Sequence, residues 1–155
     1  MGGRRCGDRM LETAALLFSL CGPGAVHLAP ALNHAAHVHH VRRPLLAALI
    51  RVESRCLPDA IGAKGELGLG QIKPGTLAAG DYTRAQLLTP RYNLLATARH
   101  LRRRLDLCDG SELRALYVYS GRRYCRDYGK DPHSGRDYAR TVLRLAEQAS
   151  REPES

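Results

Sequence analysis

Glu53 occupies a position on a predicted helix where a leucine would be expected. In the run LLAALIRVESRC, Leu45, Leu49 and Glu53 are four apart, and Leu46, Ile50 and Glu53 follow the four-then-three step of the same face. The carboxyl is therefore aimed at a core, near the C-terminal end of its helix. Burial withholds water from the anion and the helix terminus adds partial negative charge, so both disfavour the carboxylate. A carboxylic acid that stays protonated near neutral pH is the main requirement of a general acid. Taken alone, such a glutamate more often reaches from the stripe edge to water or to an arginine, because acidic side chains are rarely fully buried. The residues that follow favour chemistry.

Gly65-Glu66-Leu67-Gly68-Leu69-Gly70-Gln71-Ile72 comes next, and then Pro74-Gly75-Thr76. Glycines at 62, 65, 68 and 70 exclude a stable helix and permit a tight turn with close backbone approach to a ligand. It is not a phosphate loop: Lys73 stands where the last glycine of GxGxxG belongs, and no GK[ST] follows. Together, helix, Glu53-Ser54 and Gly68-Leu69-Gly70-Gln71-Ile72 resemble the catalytic core of the soluble-lytic type of lytic transglycosylases, a family itself similar to goose-type lysozymes. That family carries an ES pair on a helix, a GLMQ-like segment, an AYNAG-like segment and a tyrosine on the last helix. The further matches here are Asn93 in PRYNLLATARHLRRRL, Tyr119-Ser120-Gly121 for the AYNAG core, and Tyr138 in RDYARTVLRL. The resemblance spans about residues 33 to 149. Two departures stand out. Gly70 replaces the usual Met, and the YSG segment lacks the family's asparagine and is one residue shorter.

The resemblance implies an all-α, lysozyme-like fold with at most a vestigial β element, acting on the glycan strands of peptidoglycan with no cofactor and no metal. Glycosidic cleavage needs a proton for the leaving oxygen and an answer to positive charge at the sugar carbon. In the family one glutamate suffices, because the substrate's N-acetyl group stabilises that charge. The same glutamate then takes the proton of the sugar's 6-hydroxyl, closing a 1,6-anhydro ring. By resemblance Glu53 is that acid and base, and Ser54 polarises the site. Gln71 and the backbone of Gly68, Leu69 and Ile72 hold the acetamido group, while Tyr119 and Tyr138 position the ring or Glu53. Asp59, in the turn after the helix, and Glu66, in the glycine loop, read as structural rather than nucleophilic, although Glu66 is near enough in sequence to test. Two alternatives remain open: a lysozyme-type hydrolase that admits water, and a non-catalytic basic module that grips the wall.

The elements positioning these residues read as helices. Thr89-Pro90 starts one, with Leu94, Ala98, Leu101 and Leu105 at helical spacing. Ser111 caps the next, which carries Leu113, Leu116 and Tyr117 inward and ends at Gly121. The last aligns Tyr138, Val142, Leu145 and Ala149. In LNHAAHVHH, His34 and His37 share a helix face, but no carboxylate or cysteine recurs at ligand spacing, so a solvated or capping cluster is favoured over a metal site.

A chain of 155 residues suits one domain, with one Phe and no Trp leaving the core aliphatic. A net charge of +9 fits a polyanionic partner, but no nucleic-acid-binding module is recognisable. Residues 31–150 form the expected catalytic domain, with no internal repeat or long linker, 151–155 are expected to be frayed, and a monomer is expected. Residues 1–30 form a signal-like or mobile segment: Arg4, Arg5 and Arg9 precede the apolar run Leu11–Leu20, which Glu12 interrupts and which is too short to span a membrane. A periplasmic or extracellular location is the corresponding expectation. Five cysteines without CxxC spacing argue against a zinc ribbon, and Cys108 and Cys125, each just after a helix, suit a bridge in an oxidising compartment.

Overall fold

The computed structural model describes residues 5–131 and 134–151. The expected frayed tail, apart from Arg151, lies outside them. Among the described residues seven α-helices carry the fold: α1 (Cys6–Cys21), α2 (Ala29–Val38), α3 (Arg43–Ser54), α4 (Arg84–Leu87), α5 (Pro90–Leu107), α6 (Glu112–Tyr119) and α7 (Ser134–Arg151). Short 3₁₀ turns cover Pro23–Leu28 and Cys125–Gly129. The β content among the described residues is two isolated bridges, Ile61 with Leu67 and Leu67 with Ile72, both at the glycine loop. The fold is all-α.

Helix α3 is the axis of the molecule. Leu45 through Ile50 are buried on every side, so this segment is apolar all round rather than amphipathic. It packs on α7, α1 and α2, and α5 and α6 close the same aliphatic core. Helix α3 stops sharply after Ser54. Arg55 and Cys56 both take left-handed backbone (φ 55° and 62°), and their N–H groups fold back onto the last turn, Arg55 donating to the Arg51 carbonyl (3.1 Å) and Cys56 to the Ile50 carbonyl (3.2 Å).

The stretch from Leu57 to Thr89 is a separate lobe with its own small core of Leu67, Ile72, Ala78, Ala79, Leu87 and Ala96. Within it α4 starts on Thr83, whose hydroxyl accepts from the Gln86 N–H while the Gln86 side chain accepts from the Thr83 N–H. Thr89 precedes Pro90 as expected, but its hydroxyl donates back to the Ala85 carbonyl (3.0 Å) and caps nothing in α5. Ser111 does cap α6, accepting from the Arg114 N–H.

Residues 6–21, assigned from sequence to the signal-like segment, form a helix packed on the domain. Thr13, Leu16 and Leu17 are buried, while Leu11 and Phe18 face outward. Glu12, the residue interrupting the apolar run, is ion-paired to Arg43 at the start of α3 (2.7 Å), and the same guanidinium donates to the Thr13 hydroxyl. Cys21 at the end of α1 is bonded to Cys56, tying α1 to the turn after Glu53 and Ser54. Cys108 and Cys125 are also bonded, and Cys6 is free and exposed. No described helix is long and apolar enough to cross a membrane.

Candidate active site

A cleft of about 710 Å³ opens between the loop lobe and the helical core, and Glu53 lies in its wall. Glu53 ends the inner face of α3, so its carboxyl meets α6 and α7 rather than open water. The Tyr138 hydroxyl on α7 is hydrogen-bonded to Glu53 Oε1. Burial pushes the Glu53 carboxyl up from 4.5 to about 7; Tyr138 opposes the shift, and the negative charge of Glu66 adds to it. The acid therefore holds its proton to near neutrality. Tyr138 and Tyr119 both titrate well above the ordinary tyrosine range, chiefly because they are buried and next because Glu53 is near.

The glycine loop uses its polar groups mainly on itself and on α5. The Gly68 N–H donates to Ala60, the Gln71 N–H to Gly68, and Leu67 and Ile72 exchange both backbone bonds. Gly68 has φ of 71°, and a Cβ there would lie 2.5 Å from the Leu87 carbonyl, so only glycine fits. Asn93, fully buried on α5, clamps the loop. Its amide donates to the Leu67 (2.8 Å) and Leu87 (2.7 Å) carbonyls, and its oxygen accepts from the Gly70 N–H (2.8 Å). Tyr119 closes the third side by donating to the Gly70 carbonyl at 3.0 Å.

The sequence-chosen residues thus divide. Glu53, Gln71, Ile72, Tyr119 and Tyr138 line the cleft. Gln71 has left-handed backbone (φ 53°), and its amide nitrogen donates to the Gly68 (2.9 Å) and Ala60 (3.3 Å) carbonyls, so that donor serves the loop. Leu69 is fully buried in the main core, and Gly68 is packed against Asn93. Ser54 is buried, and its hydroxyl donates to the Ile50 carbonyl one turn back (3.0 Å), which places it outside the cleft lining. Glu66 lines the cleft and accepts from the Lys64 N–H, whereas Asp59 is exposed and not part of the lining. His34 and His37 are exposed, and among the described residues no group of three or more His, Cys, Asp or Glu could hold a metal.

Sequence reasoning named Asn93 by resemblance but missed the rest of the polar face of α5. Asn93, Thr97, His100 and Arg104 recur at steps of four, three and four, beside the apolar stripe already recognised. Thr97 packs on Gly70, the His100 ring lies 4.8 Å from that of Tyr119, and Arg104 reaches the cleft. His100 is driven down to about 4 by burial and by Arg104, Arg103 and Arg99, so its imidazole is neutral. Applying helical spacing to polar residues would have grouped these four.

Residues 30–138 match the family described as Transglycosylase SLT domain. Among solved structures, the chain is similar to an inactive mutant of the lytic transglycosylase Slt of Pseudomonas aeruginosa, with a TM-score of 0.67 and 23% identity. That match covers 78% of this chain but 23% of the other, so this chain spans under a quarter of that relative's length. The likeness is one of fold. With most of its length matched, including Glu53, the glycine loop and Tyr138, the chain belongs to the Transglycosylase SLT domain family.

Proposed function

We propose that the protein is a peptidoglycan lytic transglycosylase that cleaves the MurNAc-GlcNAc β-1,4 bond and leaves 1,6-anhydro-MurNAc ends. The observation that carries this reading is Glu53: a carboxyl in the cleft wall, held protonated to about 7 and oriented by Tyr138. Glu53 gives its proton to the glycosidic oxygen as the C1–O bond breaks. The substrate's acetamido oxygen bonds to C1 and takes up the developing charge. The Glu53 carboxylate then accepts the 6-hydroxyl proton, O6 attacks C1 and displaces the acetamido oxygen, and no water is consumed. Tyr119 and Tyr138 stay neutral and act as fixed donors, because their raised ionisation keeps their protons in place.

The second reading, a hydrolase, is favoured by one observation: Glu66 shares the cleft with Glu53. A carboxylate there would hold the attacking water. Mass spectrometry of the muropeptides released from purified sacculi separates the two. Anhydro ends, one water lighter than reducing ends, are the expected product, and reducing ends alone overturn the anhydro mechanism in favour of hydrolysis. Two disulfides among the described residues support an oxidising compartment outside the cytoplasm, where the wall lies.

A further inference from the structure

We propose that Arg104 is a carboxylate-binding subsite of the cleft, taking an acidic substituent of the muramyl residue; this rests on the peptidoglycan reading above. The other arginines that meet acidic side chains are matched: Arg42 with Glu112 and Glu147, Arg43 with Glu12, Arg102 with Asp106, Arg122 with Asp131. Arg104 has no carboxylate partner among the described residues, and its Nε is buried without a hydrogen-bond acceptor. Arg99 and Arg136 also have a buried, unpartnered Nε, but each donates through another nitrogen to a backbone carbonyl. The buried Nε is out of a ligand's reach, but Arg104 lines the cleft and its terminal nitrogens are neither bonded nor buried, so they can hold a ligand carboxylate with charge-assisted bonds.

Its position suits a substituent rather than the reacting bond. Arg104 stands one turn beyond His100 on α5, and His100 stacks on Tyr119. The Tyr119 hydroxyl senses both Glu53 and Arg104, while the groups acting on Glu53 itself are Tyr138 and Glu66. The guanidinium lines the same cleft as Tyr119 and Glu53. A carboxylate bound there leaves Glu53 protonated. The muramyl sugar carries a lactyl ether ending in a carboxyl group, which is free on a stripped strand. On a native strand that carboxyl is acylated by a stem peptide bearing carboxylates of its own.

The test compares three soluble glycan strands: native, stripped of stem peptides by an amidase, and native with its carboxyls amidated by carbodiimide. KM and kcat are measured for wild type, Arg104→Gln and Arg104→Lys. The wild type should show a KM about tenfold lower on carboxylate-bearing strands than on amidated ones, in the range of one charge-assisted contact. Arg104→Gln should lose that difference through KM with kcat little changed, and Arg104→Lys should recover part of it. Preference for the stripped strand assigns the lactyl carboxyl; preference for the native strand alone assigns the stem. A wild type indifferent to amidation, or an Arg104→Gln variant equally weakened on all strands, overturns the subsite while leaving the enzyme reading intact. A wild type that cleaves no strand overturns the enzyme reading, and the subsite with it. The wild-type comparison needs no variant to fold.

Discussion

The Tyr138 hydroxyl reaches across 85 residues of sequence to hydrogen-bond Oε1 of Glu53, joining α7 to the end of α3 inside the cleft. This bond favours the carboxylate, whereas burial and Glu66 oppose it. The balance leaves Glu53 titrating near 7. Because the acid must begin protonated, kcat/KM should fall above that pH.

The two neighbours should move that limb in opposite directions. Tyr138→Phe removes a bond to the carboxylate, so Glu53 ionises later and the alkaline fall shifts upward, with a lower maximum rate. Glu66→Gln removes a like charge, so the fall shifts downward. The check is the pH profile of kcat/KM for the three proteins. Parallel shifts, or a loss of anhydro products in Glu66→Gln, would contradict these roles.

Glu53→Gln should lower the rate by about 10²–10⁴-fold, the usual contribution of one general acid and base. Its stability should depend on pH in a defined way. The folded state holds the proton up to about 7, while the unfolded carboxyl releases it near 4.5. Below 4.5 the wild type incurs no penalty; between the two values it loses stability steadily, and above 7 the loss is complete. The amide avoids that loss, so the variant should equal the wild type at pH 4 and exceed it at pH 8 by about 3 kcal/mol. Urea unfolding at the two pH values measures it.

Thr97 fills the space that a side chain at position 70 would need: a Cβ there would lie 2.6 Å from Thr97 Cγ2. This accounts for glycine at position 70. Gly70→Ala should cost about 1–3 kcal/mol by overpacking. Thr97→Gly in the same chain should recover much of it, and a double-mutant cycle without coupling would remove the pairing.

Gln71→Ala should weaken the loop as well as the substrate complex. Its amide bonds to the Gly68 and Ala60 carbonyls, so their loss should lower the free energy of unfolding by about 1–3 kcal/mol and raise KM. A raised KM with unchanged stability would show that the side chain serves substrate alone.

Reduction should destabilise the protein through both bridges. They join cysteines 35 and 17 residues apart, worth about 4 and about 3 kcal/mol in the chain-entropy model. Intact mass after alkylation without reductant should show one modified thiol, Cys6, on an unprocessed chain. If processing removes the apolar run together with Cys21, Cys56 becomes the modified thiol instead. Five modified thiols without reductant would argue against an oxidising compartment.

The sequence by itself determined the main helices and the unusual placement of Glu53. Aliphatic periodicity dictated α3, α5, α6 and α7, because a helix face that must leave water repeats every three or four residues. The same periodicity marked Glu53, a carboxyl out of place on an apolar face. The glycines at 68 and 70 announced a close backbone approach, though not to what. Only the tertiary structure decided that Asn93 and Tyr119 hold the Gly70 peptide, that Ser54 turns inward, that Cys56 bonds Cys21, and that Arg104 stands unpaired in the cleft. A polar residue on an inward helix face has the same spacing whether water, a loop carbonyl or a substrate completes it. Its partner lies tens of residues away, and packing alone brings the two together.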